Sequence, residues 1–199
     1  MTKNIGIYVF DEVEVLDFAG PFEVFSTASR MTGRTSKEPP PFSVTLVADR
    51  LREVRARGGL RVVPSASFAE HPAFDVLLVP GGEVSAELER SDVSAWIAEV
   101  ARRASLTASV CTGAFLLAKA GLLGGRRVTT HWEDVDDLQR SFPELTVVRD
   151  VPWVDEGELV TSAGISAGLD MSLHLVARLA SSELAERTAR QMEYVWRQR

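Results

Sequence analysis

LTASVCTGAFLLAKAGLLGG, residues Leu106 to Gly125, joins a strand pattern to a helix pattern across one cysteine. Leu106–Val110 is an apolar run of strand length that leads straight into Cys111, Thr112 and Gly113. Ala114–Ala120 then reads as an apolar helix, which Gly121 closes because glycine accepts the left-handed conformation at a helix end. A strand that turns into a helix at one residue resembles the nucleophile elbow of serine hydrolases. Such a turn pushes the Cys111 side chain out at the carboxyl end of a sheet, where open α/β folds place their ligands. The helix N-terminus would direct partial positive charge and free N–H groups at the sulfur, favouring thiolate. Gly113 would permit close backbone approach, having no Cβ. Free cysteine is also among the most buried residue types and often packs as a small hydrophobe. Its place at the elbow favours chemistry over packing.

Working outward, strand-like runs are expected at Ile5–Phe10, Phe42–Ala48, Val76–Pro80 and Leu106–Val110. Ile5–Phe10 and Val76–Pro80 are almost continuously apolar, as in strands covered on both faces. Between them, Val93, Trp96, Ile97, Val100, Ala101 and Ala104 recur at helical spacing, with Ser91 or Asp92 available as N-cap. Phe18–Ala28 and Leu169–Ala180 read as further helices, and Ser182 is expected to cap a last one ending near Trp196. Thr32–Pro41, with three consecutive prolines, reads as a surface connection. Val151–Val160 flanks an Asp-Glu-Gly turn and predicts a β-hairpin; a second is expected around Gly58-Gly59. Strands alternating with helices indicate βαβ units in a three-layer α/β sandwich with a mainly parallel, doubly wound sheet.

The composition narrows the function classes. The chain has 199 residues, 45% of them hydrophobic and 25% charged, which fits a single globular domain over 1–199 rather than a disordered chain. The net charge of −6 argues against a broad nucleic-acid-binding surface. One cysteine excludes an intrachain disulfide, and His71, His131 and His174 show no zinc spacing. The start, MTKNIGIYVFDEVEVLD, reads as neither a secretory signal nor a membrane span. The expectation is a soluble cytoplasmic protein in a reducing compartment.

Two further segments belong with Cys111. LLVPGGEVS, Leu77 to Ser85, is a strand ending in Pro80-Gly81-Gly82, whose backbone N–H groups could face an anionic intermediate, although most such tripeptides are plain turns. EVEVLDFAGPFEVF, Glu12 to Phe25, follows the first strand. Asp17 opens its helix and suits both an N-cap and an acid/base role. Glu14 and Glu23 are nearby alternatives, Glu23 being placed for a structural or solvated role.

These pieces, in this order, resemble the ThiJ/PfpI superfamily (class I glutamine amidotransferase-like), and specifically its isocyanide hydratase branch. The matching motifs are DFAGPFEVF, LLVPGG, SVCTGAFLLAKAGLLGGRRVTTHW and TSAGISAGLD, spread over essentially the whole chain. The resemblance implies a flavodoxin-like fold, Cys111 as elbow nucleophile and Asp17 as its acidic partner. It implies backbone N–H groups of Gly82 and Thr112 facing the reacting atom, and a pocket-side helix start at Ile165 and Gly168. Branches with protease- or glyoxalase-like activity follow the cysteine with His, where this chain has Thr112. His131 is the one histidine that could approach the site, and the family pattern makes it mainly a framework residue. The amidotransferase His-x-Glu motif is broken at His174-Leu175-Val176.

The resemblance implies hydration of a small-molecule isocyanide to an N-substituted formamide, with no metal or organic cofactor, by a homodimer. Because like charges in contact disfavour double ionisation, Cys111 and Asp17 are expected to share one proton, the reactive form being thiolate with protonated Asp17. Competing readings are a redox or stress sensor, a ligand sensor resembling the sensor half of AraC-type regulators, and a deglycase or hydrolase acting on small electrophilic carbonyls. After Ser181 about one helix remains, too little for a helix-turn-helix.

Overall fold

The computed structural model describes residues 1–33 and 39–198. Its strands are β1 (Lys3–Tyr8), β2 (Phe42–Ala48), β3 (Val54–Arg55), β4 (Arg61–Val62), β5 (Ala66–Ser67), β6 (Val76–Val79), β7 (Leu106–Val110), β8 (Arg127–Val128), β9 (Thr146–Val147), β10 (Trp153–Asp155) and β11 (Leu159–Ser162). Its α-helices are α1 (Val15–Gly33), α2 (Ser85–Leu88), α3 (Ser91–Ala101), α4 (Gly113–Lys119), α5 (Val135–Ser141), α6 (Ala167–Leu179) and α7 (Ser182–Gln191).

Seven strands form the central sheet in the order β10-β11-β7-β6-β1-β2-β5. Every pairing in it is parallel except β10 with β11, which is the hairpin expected over 151–160. Helices α1, α6 and α7 pack together on one side, and α2, α3 and α4 on the other. Burial on both faces explains the unbroken apolar runs: every residue of β6 and β7 is buried, as are Ile5, Ile7 and Tyr8 of β1. The chain proceeds from β1 to β2 on one side and then returns to place β6 on the other. The order therefore reverses between β1 and β6, and a crevice outside their carboxyl ends is where such sheets bind ligands. Asp17 follows β1, the Pro-Gly-Gly loop follows β6, and Cys111 follows β7, so all three converge there.

Several local expectations need correction. α1 begins at Val15 and runs to Gly33, longer than Phe18–Ala28. Asp17 thus lies inside the first turn and is not the N-cap. Neither Ser91 nor Asp92 caps α3, which starts at Ser91 itself after Arg90. The last helix ends at Gln191, and its cap is Ser181, whose hydroxyl accepts the Leu184 N–H. β1 stops at Tyr8, before Phe10. The hairpin at Gly58-Gly59 is present, with β3 and β4 antiparallel. The connection expected over 32–41 lies at 34–38 outside the described residues.

Gly113 shows how tightly the elbow is seated against the neighbouring strand. A Cβ there would overlap the carbonyl oxygen of Val79 and stand 2.9 Å from Pro80 C, both backbone atoms that cannot swing away. Gly113→Ala is therefore expected to cost about 3 kcal/mol through overpacking, a fall in Tm of about 10 °C. Thermal denaturation followed by circular dichroism measures it, and an unchanged Tm would show that the β6 and β7 ends are not locked together here.

Candidate active site

Cys111 is the first residue past β7 and has φ 57°, the left-handed region that L-residues rarely occupy. Its backbone is held there on both sides: its N–H donates to Ser162 O at 3.2 Å, and its carbonyl accepts the Thr130 hydroxyl at 2.8 Å. A strained conformation over-determined by neighbours is a frequent feature of functional sites. The side chain is 7% exposed.

Asp17 is fully buried on α1. Its Oδ2 accepts the Gly81 N–H at 3.1 Å, while Oδ1 is buried with no hydrogen-bond partner among the described residues. Hydrogen bonding from the Cys111 thiol offsets part of the cost of ionising that carboxyl. Burial is the larger influence and pushes Asp17 up to about 7, with the charge of Glu14 adding to it and the Gly81 N–H opposing it. Cys111 is pushed up to about 12, first by burial and then by the charge of Asp17. The Thr112 N–H and hydroxyl act the other way and are outweighed. The expectation that the helix N-terminus favours thiolate therefore fails in the resting site, while the expected opposition from the Asp17 charge is present. α4 has only seven residues, and burial next to a carboxylate dominates.

The remaining expected groups are placed as follows. The Thr112 hydroxyl accepts the Gly82 N–H at 2.9 Å and donates to the Gly82 carbonyl at 3.0 Å. The Gly82 N–H is thus engaged by Thr112 rather than left facing the sulfur. Gly82 itself sits at φ 137°, and a Cβ there would overlap Glu12 O, so the Pro-Gly-Gly loop fits directly against the lead-in to α1. Ile165 is half-buried in the turn before α6, where its carbonyl accepts the Gly168 N–H at 3.3 Å.

Two neighbours of the sulfur were only weakly legible. A Cβ at Gly164 would overlap His131 Cδ2 and stand 3.1 Å from Cys111 Sγ, so the missing side chain lets imidazole and thiol share one space. His131 Nδ1 accepts the Glu133 N–H at 3.4 Å and lies 3.4 Å from Asp134 Oδ2. The sequence offered His131 as the one histidine able to approach the site, and the glycine of TSAGISAG is the further signal for this contact. Gly164 also lines a cavity of about 520 Å³ together with Thr130, Trp132, Val151, Pro152, Ala163 and Arg197; Cys111, Asp17 and Ile165 are not among its lining residues. Among the described residues no three His, Cys, Asp or Glu side chains are grouped to hold a metal ion, and no helix is long and apolar enough to cross a membrane.

The DJ-1/PfpI family pattern matches residues 3–178, all seven strands of the central sheet together with the elbow. The chain belongs to the DJ-1/PfpI family. Isonitrile hydratase of Pseudomonas putida is 35% identical over 195 residues, covering 98% of this chain and 79% of that protein. The HTH-type transcriptional regulator GbdR of Pseudomonas aeruginosa is 32% identical over 184 residues, but this chain spans only 48% of its length. Among solved structures, a THiJ/PfpI family protein from Pseudomonas syringae superposes with a TM-score of 0.86 at 30% identity, covering 98% of this chain and 76% of that one. Drosophila melanogaster DJ-1beta has a TM-score of 0.82 at 21% identity, with 98% of this chain and all of that one covered, a likeness of fold. The DJ-1/PfpI family thus includes proteins named as an enzyme and proteins named as regulators, and family membership alone does not choose between them.

Proposed function

We propose that this DJ-1/PfpI protein hydrates isocyanides to N-substituted formamides, with Cys111 as nucleophile and Asp17 as its proton partner. The observation that carries the reading is a nearly buried thiol in the strained left-handed conformation beside a fully buried carboxyl with one oxygen unpartnered among the described residues. The 35% identity to isonitrile hydratase supports the choice of substrate class.

The chemistry follows from the proton inventory of the pair. With Asp17 near 7 and Cys111 near 12, the pair holds two protons in acid and one at mildly alkaline pH. In the singly protonated pair the proton rests mainly on sulfur, and Asp17 is positioned to take it. The resulting thiolate attacks the terminal carbon of R–N≡C. Protonated Asp17 returns the proton to that carbon, giving the thioimidate R–N=CH–S–Cys111. Ionised again, Asp17 draws a proton from water as the oxygen adds to the same carbon. Protonation at nitrogen and loss of the C–S bond release R–NH–CHO and the thiolate, which recovers its proton. The net change is addition of one water. The Thr112 hydroxyl holds the Gly82 loop in place, and the Thr112 N–H faces the sulfur side, a donor for the charge that develops during addition. The cavity lined by Gly164, which Cys111 itself does not line, is the proposed place for the substituent R. A cytoplasmic homodimer acting on a small molecule is the assembly proposed with this chemistry.

Incubation with a panel of alkyl and aryl isocyanides, with formamide followed by chromatography, tests the assignment; absence of product from every member sinks it. The pH profile tests the mechanism. Because only the singly protonated pair can pass its proton from sulfur to carboxylate, kcat/KM is expected to climb about tenfold per pH unit below an inflection near 7 and to level off above it. A profile that falls through that range would show that protonated Asp17 is required at the outset.

The relation to GbdR supports a second reading, in which the same pocket senses a ligand for a partner. Binding of a small molecule in the cavity without turnover is the result that would favour it.

A further inference from the structure

We propose that the cavity beside Cys111 takes a small molecule carrying a carboxylate, which Arg197 and Ser166 hold. The inference rests on the hydratase reading and narrows its substrate class to isocyanides whose substituent R is acidic.

The cavity and the sulfur meet at one residue. Gly164 lines the cavity, and the place its absent Cβ would take is 3.1 Å from Cys111 Sγ. Thr130, whose hydroxyl donates to the Cys111 carbonyl at 2.8 Å, lines the cavity as well. A volume of about 520 Å³ lies within the range of small-molecule sites. Trp132, Val151, Pro152 and Ala163 give it apolar wall, so a substituent leading away from the sulfur runs over hydrocarbon.

Another part of the wall comes from the segment after α7, which lies outside residues 3–178 matched by the family pattern. That segment is tied to the first turn of α6 at a single residue. The Trp196 indole N–H donates to the Asp170 carbonyl at 3.2 Å, and the Arg197 backbone N–H donates to Asp170 Oδ1 at 2.8 Å. Asp170 is buried, so the tie is sheltered from water and fixes the Arg197 backbone at the cavity.

The polar side chains around the cavity divide into committed and uncommitted groups. The Thr129 hydroxyl donates to Val148 O at 2.9 Å, Thr130 is bonded to Cys111 O, Arg149 pairs with Asp136, and Asp170 holds the Arg197 N–H. The Arg197 guanidinium, the Ser166 hydroxyl and the Asp150 carboxylate have no hydrogen-bond or ion-pair partner among the described residues. Two of these three are donors, and Ser166 stands at the positive end of the α6 dipole. A guanidinium fork with one hydroxyl suits the two oxygens of a carboxylate. Asp150 opposes an anion, and it opposes a doubly charged phosphate more strongly than a singly charged carboxylate.

ω-Isocyanoalkanoates of two to six carbons, each set beside its methyl ester at pH 7.5, test the inference. The best acid should exceed its ester in kcat/KM by at least about tenfold, with the difference in KM, as for one charge-assisted contact. Arg197→Gln should bring that ratio to about one, and Arg197→Lys should keep part of it. The backbone bond to Asp170 survives both changes. Asp150→Asn, which fits the left-handed φ of 56°, should raise the ratio about threefold. Opposite signs at residues 150 and 197 are what charge recognition predicts and a packing role does not. A ratio near one in the parent, or one unmoved by Arg197→Gln, overturns this inference, while formamide production leaves the nucleophile reading standing. If neither acids nor esters are turned over, the hydratase reading falls and a second measurement decides. Cys111 is the only cysteine, so iodoacetamide alkylation reports on that thiol alone. N-formyl-6-aminohexanoate that slows alkylation in the parent but not in Arg197→Gln keeps the carboxylate site; absence of protection removes it.

Discussion

Cys111→Ala protein is expected to produce formamide no faster than buffer does, a loss of at least about 10⁴-fold in turnover, because removing a covalent nucleophile removes its pathway altogether. No other thiol exists in the chain to substitute. The fold should survive. Alanine meets the same backbone cost at φ 57° as cysteine does, and the bonds to Ser162 O and from Thr130 use only backbone atoms of residue 111. Loss of one buried sulfur costs about 1 kcal/mol, well inside the stability of a domain this size. Cys111→Ser should be nearly as inactive. A hydroxyl is a far weaker acid than a thiol, so an Asp17 carboxylate near 7 cannot deprotonate it usefully. Product formation and Tm measured on one preparation separate lost chemistry from lost fold; parental turnover in folded Cys111→Ala protein ends the nucleophile assignment.

How much of this site is legible in the sequence depends on which interactions are local. The elbow was legible because strand, cysteine, glycine and helix are contiguous, and a change of hydrophobic period shows directly in Leu106–Lys119. The parallel sheet was legible for a similar reason: β6 and β7, buried on both faces, carry no polar alternation. What sequence did not show was where hydrogen bonds go across the crevice. Asp17 looked like a helix cap, but its carboxylate accepts from Gly81, 64 positions away. Gly82 looked like a free donor, but the Thr112 hydroxyl from another loop takes its N–H. The opposition of the Asp17 charge to thiolate is legible in the sequence, whereas the burial that outweighs the helix N-terminus is not. His131 reads as mainly a framework residue from the family pattern, because nothing local says that Gly164 packs against both its ring and the sulfur. The hairpin at Gly58-Gly59 was expected as a turn, while its backbone bonds to Glu12 and Val13 are a tertiary fact.

Asp17→Asn is expected to lower turnover at least about 100-fold, the usual scale for losing a positioned general acid–base, and at the same time to leave the protein as stable or more so at neutral pH. The two effects have one cause. The carboxyl is buried, and its pKa in the fold, about 7, stands above the ordinary carboxylate value. Folding therefore takes up a proton between roughly pH 4 and 7. Native stability falls as pH rises through that interval, and the loss is complete once the buried group ionises. Asparagine never ionises, and its side-chain oxygen can still accept the Gly81 N–H. Its advantage in Tm over the parent should accordingly be absent near pH 4 and largest near pH 8. Neither amide nitrogen nor amide oxygen can remove the thiol's proton and return it to carbon, so the gain in stability comes with loss of the reaction. Melting curves across that pH range, set beside turnover at pH 7.5, expose both halves. An Asn variant that turns over at the parental rate removes Asp17 from the chemistry, whereas one destabilised most at high pH would mean that the carboxylate is a structural anchor whose charge the fold welcomes.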